Sequence, residues 1–151
     1  MVGIVIVSHM VSIAEGVRDM AKKVVPNELK IIAAGGTADG SFGTDSAKIC
    51  RAIEEADDGQ NGVIIITDVG SSIISAGLAI EGLSMQLHQR VKIADAPIVE
   101  GAIAAASEAA KGSDLMTVLN VTETAKSVSK RGSTHIVKEW GNVVYYNISP
   151  S

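Results

Sequence analysis

His9, Asp68, the run Gly35–Thr44 and the pair Ser71-Ser72 are the residues whose types and placement could do chemistry in this chain of 151 residues. A histidine in such a setting can be a metal ligand, an acid or base, a nucleophile that carries phosphate, or a polar loop residue. An aspartate that accepts the proton of one ring nitrogen fixes the tautomer and makes the other nitrogen more basic. Thr44, Ser71 and Ser72 offer hydroxyls and the amides of two helix starts, which favour an anion such as phosphate. A Ser-His-Asp hydrolase has the raw material in Ser8, Ser71, His9 and Asp68. It lacks the Gly-x-Ser-x-Gly elbow, however, and Ser8 should point away from its strand neighbour His9. A zinc site is weaker still, because His88 and His135 stand at unrelated points and Cys50 falls in the apolar stripe of a helix. A nucleophilic histidine that holds phosphate accounts for more of the glycines and hydroxyls than either alternative, and it requires no metal ligands.

The elements that must position these residues follow from hydrophobic patterning. Ile4-Val5-Ile6-Val7 reads as a strand buried on both faces that ends at Ser8-His9, and Ser12-Ile13-Ala14-Glu15 is a capping box for the helix after it. That helix carries Ile13, Val17, Met20, Ala21 and Val24 at helical spacing and stops at Pro26. Leu29 to Ala34 is a second strand. The glycine-rich Gly35–Thr44 loop lacks the lysine of a nucleotide P-loop and the spacing of a dinucleotide fingerprint. Thr44 is the expected cap of a helix with Ala47, Ile49, Cys50, Ile53 and Ala56 inside and Lys48 facing water. Val63-Ile64-Ile65-Ile66 delivers Thr67-Asp68 to the sheet edge that also carries His9. A helix from Ile73 to Leu87 is apolar on two stripes, the second formed by Ile74, Leu78 and Met85, a width that suggests cover by a second subunit. Val91 to Ala94 is a fourth strand, followed by helices over residues 98–111 and from Ser113-Asp114 to Lys126.

Strand and helix alternation of this kind predicts an α/β fold, an open and mainly parallel four-stranded sheet with helices on both faces. Ligands bind such sheets at the carboxyl edge of the strands, where His9, Gly35–Thr44 and Asp68–Ser72 would converge. Residues 1–126 read as one domain and 127–151 as a C-terminal extension. Thr134–Trp140 and Val143–Ile148 form a β-hairpin-like pair about Gly141-Asn142, and nearly all the aromatic residues lie there. A net charge of -4 gives no basic footprint for nucleic acid, and the apolar runs are too short to span a membrane. One cysteine and no signal-like start make cytoplasmic residence the expectation.

Five collinear fragments carry a family resemblance: Val5-Ile6-Val7-Ser8-His9, Ile32-Ala33-Ala34-Gly35, Gly43-Thr44-Asp45, Asp68-Val69-Gly70-Ser71 and Ala96-Pro97-Ile98-Val99-Glu100-Gly101. At these residues the sequence resembles the phosphotransferase subunits (DhaM) of phosphoenolpyruvate-dependent dihydroxyacetone kinases and, more distantly, mannose-type IIA domains of the sugar phosphotransferase system. The resemblance implies a homodimeric phosphotransferase subunit whose histidine, here His9, is phosphorylated by HPr. The phosphoryl group would then pass to ADP held by the DhaL subunit, whose ATP phosphorylates dihydroxyacetone bound to DhaK. It implies that Asp68 orients His9, and by position Gly35, Gly43, Thr44 and Ser71 would line the phosphate. No cofactor of its own is expected, nucleotide and magnesium belonging to the DhaL partner. A sugar IIA domain is the alternative within this class, and a non-catalytic anion-binding regulatory module is the alternative outside it.

Overall fold

The computed structural model describes residues 1–131, so the expected hairpin, His135 and all but the first few residues of the 127–151 extension lie outside the described residues. Among the described residues the order is β1 (Gly3–Ser8), α1 (Val11–Lys22), β2 (Ile31–Gly35), α2 (Ser46–Ala56), β3 (Val63–Thr67), α3 (Ser71–Glu81), α4 (Met85–His88), β4 (Val91–Ile93), α5 (Ile98–Ala110) and α6 (Leu115–Glu123), closed by a 3₁₀ turn over Thr124–Ser127. The strands form one sheet in the order β2-β1-β3-β4, and each pairing is parallel. The expected α/β architecture is therefore the observed one.

Strand alternation divides the core. Ile4, Ile6, Ile64 and Ile66 point to the face covered by α1, α5 and α6, while Val5, Val7, Val63 and Ile65 point to the face covered by α2 and α3. The eight aliphatic side chains are fully buried, which explains why both central strands read as unbroken apolar runs. Helix α5 is mostly alanine on its buried surface, so it can lie close to the sheet.

Several local expectations are corrected. The capping box at Ser12 is not used: α1 begins at Val11 with Met10 as its N-cap, and no side chain caps it. Its buried stripe is Ala14, Val17 and Ala21, and the larger Ile13 and Met20 stay exposed because small residues let α1 pack closely. Asp45 caps α2 in place of Thr44, its carboxylate accepting from the Ala47 and Lys48 amides. Asp114 caps α6 by the same device. The long helix expected over 73–87 is broken at Gly82, and Ser84 restarts the chain as the short α4.

Candidate functional site

Order in the sheet decides where the site lies. The chain leaves β1 for β2 on one side and crosses back to β3 on the other, so a crevice opens beyond the carboxyl ends of β1 and β3. Parallel register sets Val7 opposite Thr67, and the Asp68 amide donates to the Val7 carbonyl at 3.1 Å. Asp68 therefore emerges level with Ser8, and His9, one residue further, meets its carboxylate across the gap.

Asp68 is the hub of this meeting. Its carboxylate accepts from the His9 backbone amide at 2.9 Å, from the Ser8 hydroxyl at 2.9 Å and from His9 Nδ1 at 3.0 Å. Burial pushes the carboxyl pKa upward, but the hydrogen bonds from the His9 amide, the Ser8 hydroxyl, the Val69 amide and the His9 ring outweigh it and hold the group at about 2. Beside an ionised carboxylate, the neutral imidazole carries its proton on Nδ1 and leaves the Nε2 lone pair free to accept. That lone pair faces the Ser71 hydroxyl at 2.6 Å. The ring is nearly covered, its side chain 10% exposed, with Phe42 stacked on it at a centroid separation of 5.3 Å.

The glycine-rich loop closes the other side. Its backbone is tied to the strand end by Gly36 N–H to the Ser8 carbonyl at 3.1 Å and Gly43 N–H to the His9 carbonyl at 2.9 Å. Gly36 and Gly43 have φ of 74° and 137°, a region that side chains disfavour. Gly35 is constrained differently: a Cβ there would stand 2.7 Å from the Met10 carbonyl oxygen, so it is the point where β2 touches the start of α1. From below, the Lys48 ammonium donates to the Gly35 and Thr37 carbonyls at 2.9 and 2.7 Å. Lys48 thus faces the loop, and not water as its place on the helix suggested.

Of the residues singled out from sequence, His9, Asp68 and Ser71 form one hydrogen-bonded chain. Gly43 bonds to the His9 backbone, and Gly35 lies behind the loop, packed on α1. Thr44 turns its hydroxyl to Ser75 of α3 at 2.5 Å. Ser72 is fully buried and bonds back to the Val69 carbonyl, so it is a helix-start residue outside the site. Sequence reasoning weighed Ser8 only as a hydrolase serine and missed its bond to Asp68, placed Lys48 in water, and missed Phe42. Ser8 carried a signal, as a polar residue ending a strand otherwise wholly apolar, and it is fully buried against Asp68. Phe42 did as well, being the one aromatic ahead of the C-terminal cluster.

The chain has relatives among known proteins. The model of the EIIA-man family, described as the PTS system fructose IIA component, matches residues 3–119, which include the whole site. The chain belongs to the EIIA-man family. Within that family it is 41% identical over 106 residues to a phosphoryl donor subunit DhaM of PEP-dependent dihydroxyacetone kinase 2 from Listeria innocua, covering 70% of this chain and 84% of that one. It is 38% identical over 122 residues to the DhaM subunit of Escherichia coli, covering 79% of this chain but 26% of that longer protein. A crystal structure described as that of an unknown function protein, EF1359, superposes with a TM-score of 0.73 at 37% identity, covering 83% of this chain and 95% of that one. The EIIA-man domain described here is thus of the DhaM kind. Among its described residues no helix is long and apolar enough to cross a membrane.

Proposed function

We propose that this EIIA-man domain is a phosphohistidine carrier, the phosphoryl donor subunit of a dihydroxyacetone kinase, with His9 as the residue that bears the phosphoryl group. The observation that carries the reading is the polarised imidazole: Nδ1 on an ionised Asp68 and Nε2 directed at the Ser71 hydroxyl. In the loading step Nε2 attacks phosphorus, the bond to the donor breaks as the P–N bond forms, and the proton on Nδ1 stays in place. The ring becomes cationic, and the carboxylate 3.0 Å away stabilises that charge. The Ser71 hydroxyl, released from the lone pair, is placed to donate to a phosphoryl oxygen. Unloading reverses the sequence on an acceptor oxygen. Positioning and charge stabilisation suffice for such transfer.

For the finer steps we infer that phospho-HPr is the donor, that ADP bound to a DhaL subunit is the acceptor, and that nucleotide and magnesium stay with that partner. The DhaM names of the relatives support this assignment over a sugar IIA role. Pairing of two copies draws support from α3, where Ile73, Ile74 and Leu78 are 51%, 68% and 55% exposed. Incubation with phospho-HPr followed by DhaL-ADP or a sugar IIB domain tests the chain of transfer. Label appearing in ATP is the expected outcome, and label passing to the IIB domain alone would contradict it.

A second reading has one observation in its favour. Ser71, His9 and Asp68 are linked in the order of a Ser-His-Asp triad, the serine 2.6 Å from Nε2. In a hydrolase Ser71 would form the covalent bond and Ser71→Ala would abolish activity. In the carrier the same substitution leaves His9 able to take phosphate.

A further inference from the structure

Phe42 occupies a position that the carrier chemistry does not explain. It is 74% exposed, yet one face of its ring lies on the imidazole, the planes 29° apart. The loop is not loosely attached: Gly43 bonds to the His9 carbonyl, Thr37 and Ser41 bond to each other, and Lys48 holds the Gly35 and Thr37 carbonyls. Phe42 also borders an open cavity of about 320 Å³ with Met10, Val11, Ser12, Glu15 and Gly40, which gives the ring space to turn away from His9. The structure therefore shows an apolar ring on one face of the reactive imidazole, on a loop fastened by Lys48 and beside an open cavity.

We propose that Phe42, on the loop latched by Lys48, is a specificity-determining residue that keeps water and small phosphoryl compounds from His9 and yields to a protein partner that displaces it. The proposal rests on the carrier reading above. A phosphohistidine is lost when water attacks phosphorus, the P–Nε2 bond breaks and inorganic phosphate leaves. Access of water is therefore what a carrier must limit between its two partners. An aromatic ring on one face, with Asp68 at Nδ1 and the Ser71 hydroxyl beside the phosphoryl group on Nε2, leaves water few approaches. A partner bringing its own apolar surface can replace the contact it removes.

The full chain, its Phe42→Ala, Phe42→Leu and Lys48→Met variants, and His9→Gln as a blank are each phosphorylated in two ways: with potassium phosphoramidate, where ammonia is the leaving group, and with phospho-HPr. The rate of phosphohistidine formation and its loss in buffer are followed by ³¹P NMR. Phe42→Ala should load from phosphoramidate several-fold faster and lose phosphate several-fold faster than the parent. Phe42→Leu should stay close to the parent, and Lys48→Met should shift both rates in the same direction by less. Parental rates in Phe42→Ala would overturn the cover while leaving the carrier reading intact. No phosphohistidine on the parent chain, even from phospho-HPr, would overturn both.

Discussion

Two halves of the site are built in opposite ways. The strand half, Ser8, His9 and Asp68, is set by parallel register and by a carboxylate that satisfies three donors, and its side chains are nearly inaccessible. The loop half, Gly36 to Gly43, is held by its own turns, by one lysine and by a backbone bond to the strand end at each of its limits, and it presents its largest side chain to solvent. Changes in the first half should therefore alter whether chemistry occurs, and changes in the second should alter what reaches it.

The largest effect belongs to the nucleophile. His9→Ala should take up no label from phospho-HPr, and the label on the parent chain should be labile in acid and stable in base. Next comes Asp68→Asn, which retains size but loses the charge that polarises the ring; transfer should fall on the order of 10²-fold. The same change disturbs the bonds from Ser8 and the His9 amide, so a loss of roughly 1–3 kcal/mol in denaturant stability should accompany it. A purely kinetic effect would show that the hub is not structural.

The carboxyl itself predicts a pH dependence. Its folded pKa, about 2, is depressed from the ordinary 3.8, so its stabilising contribution is complete above about pH 4 and is lost as pH falls toward 2. The size is about 2 kcal/mol. Acid denaturation of Asp68→Asn should lack that part of the slope, and an unchanged slope would contradict the assignment. Smaller again is Ser71→Ala: loading of His9 should persist within a few-fold, whereas complete loss would favour the hydrolase reading. Gly35→Ala tests the boundary of the two halves, because its new methyl meets the Met10 carbonyl; a cost of about 1–3 kcal/mol with little change in the His9–Asp68 pair is expected.

Much of this arrangement was legible in the sequence, and the parts that were not share a cause. Unbroken β-branched runs at Ile4–Val7 and Val63–Ile66 announced central parallel strands, and their ends located His9 and Asp68 on one edge. Residues 71 and 9 could be brought together by topology alone. Periodicity misplaced the α1 stripe because it weighs side-chain size, whereas tight packing on a sheet selects alanine, as at Ala14 and Ala21. The α2 cap slipped by one residue because Asp45, adjacent to Thr44, wins the amides with a charge. Lys48 and Phe42 were illegible for a further reason: their roles depend on the path of a loop with glycines at positive φ, and residue type alone does not fix such a path.

The central claim is that Nε2 of His9 receives the phosphoryl group while Nδ1 remains protonated on Asp68. Long-range ¹H–¹⁵N NMR of the His9 ring, recorded before and after loading from phospho-HPr, reads both nitrogens at once. Phosphorus coupled to Nε2 with a proton retained on Nδ1 is the predicted result. Phosphorus on Nδ1, or an acid-stable ester on Ser71 with an unmodified ring, would contradict it.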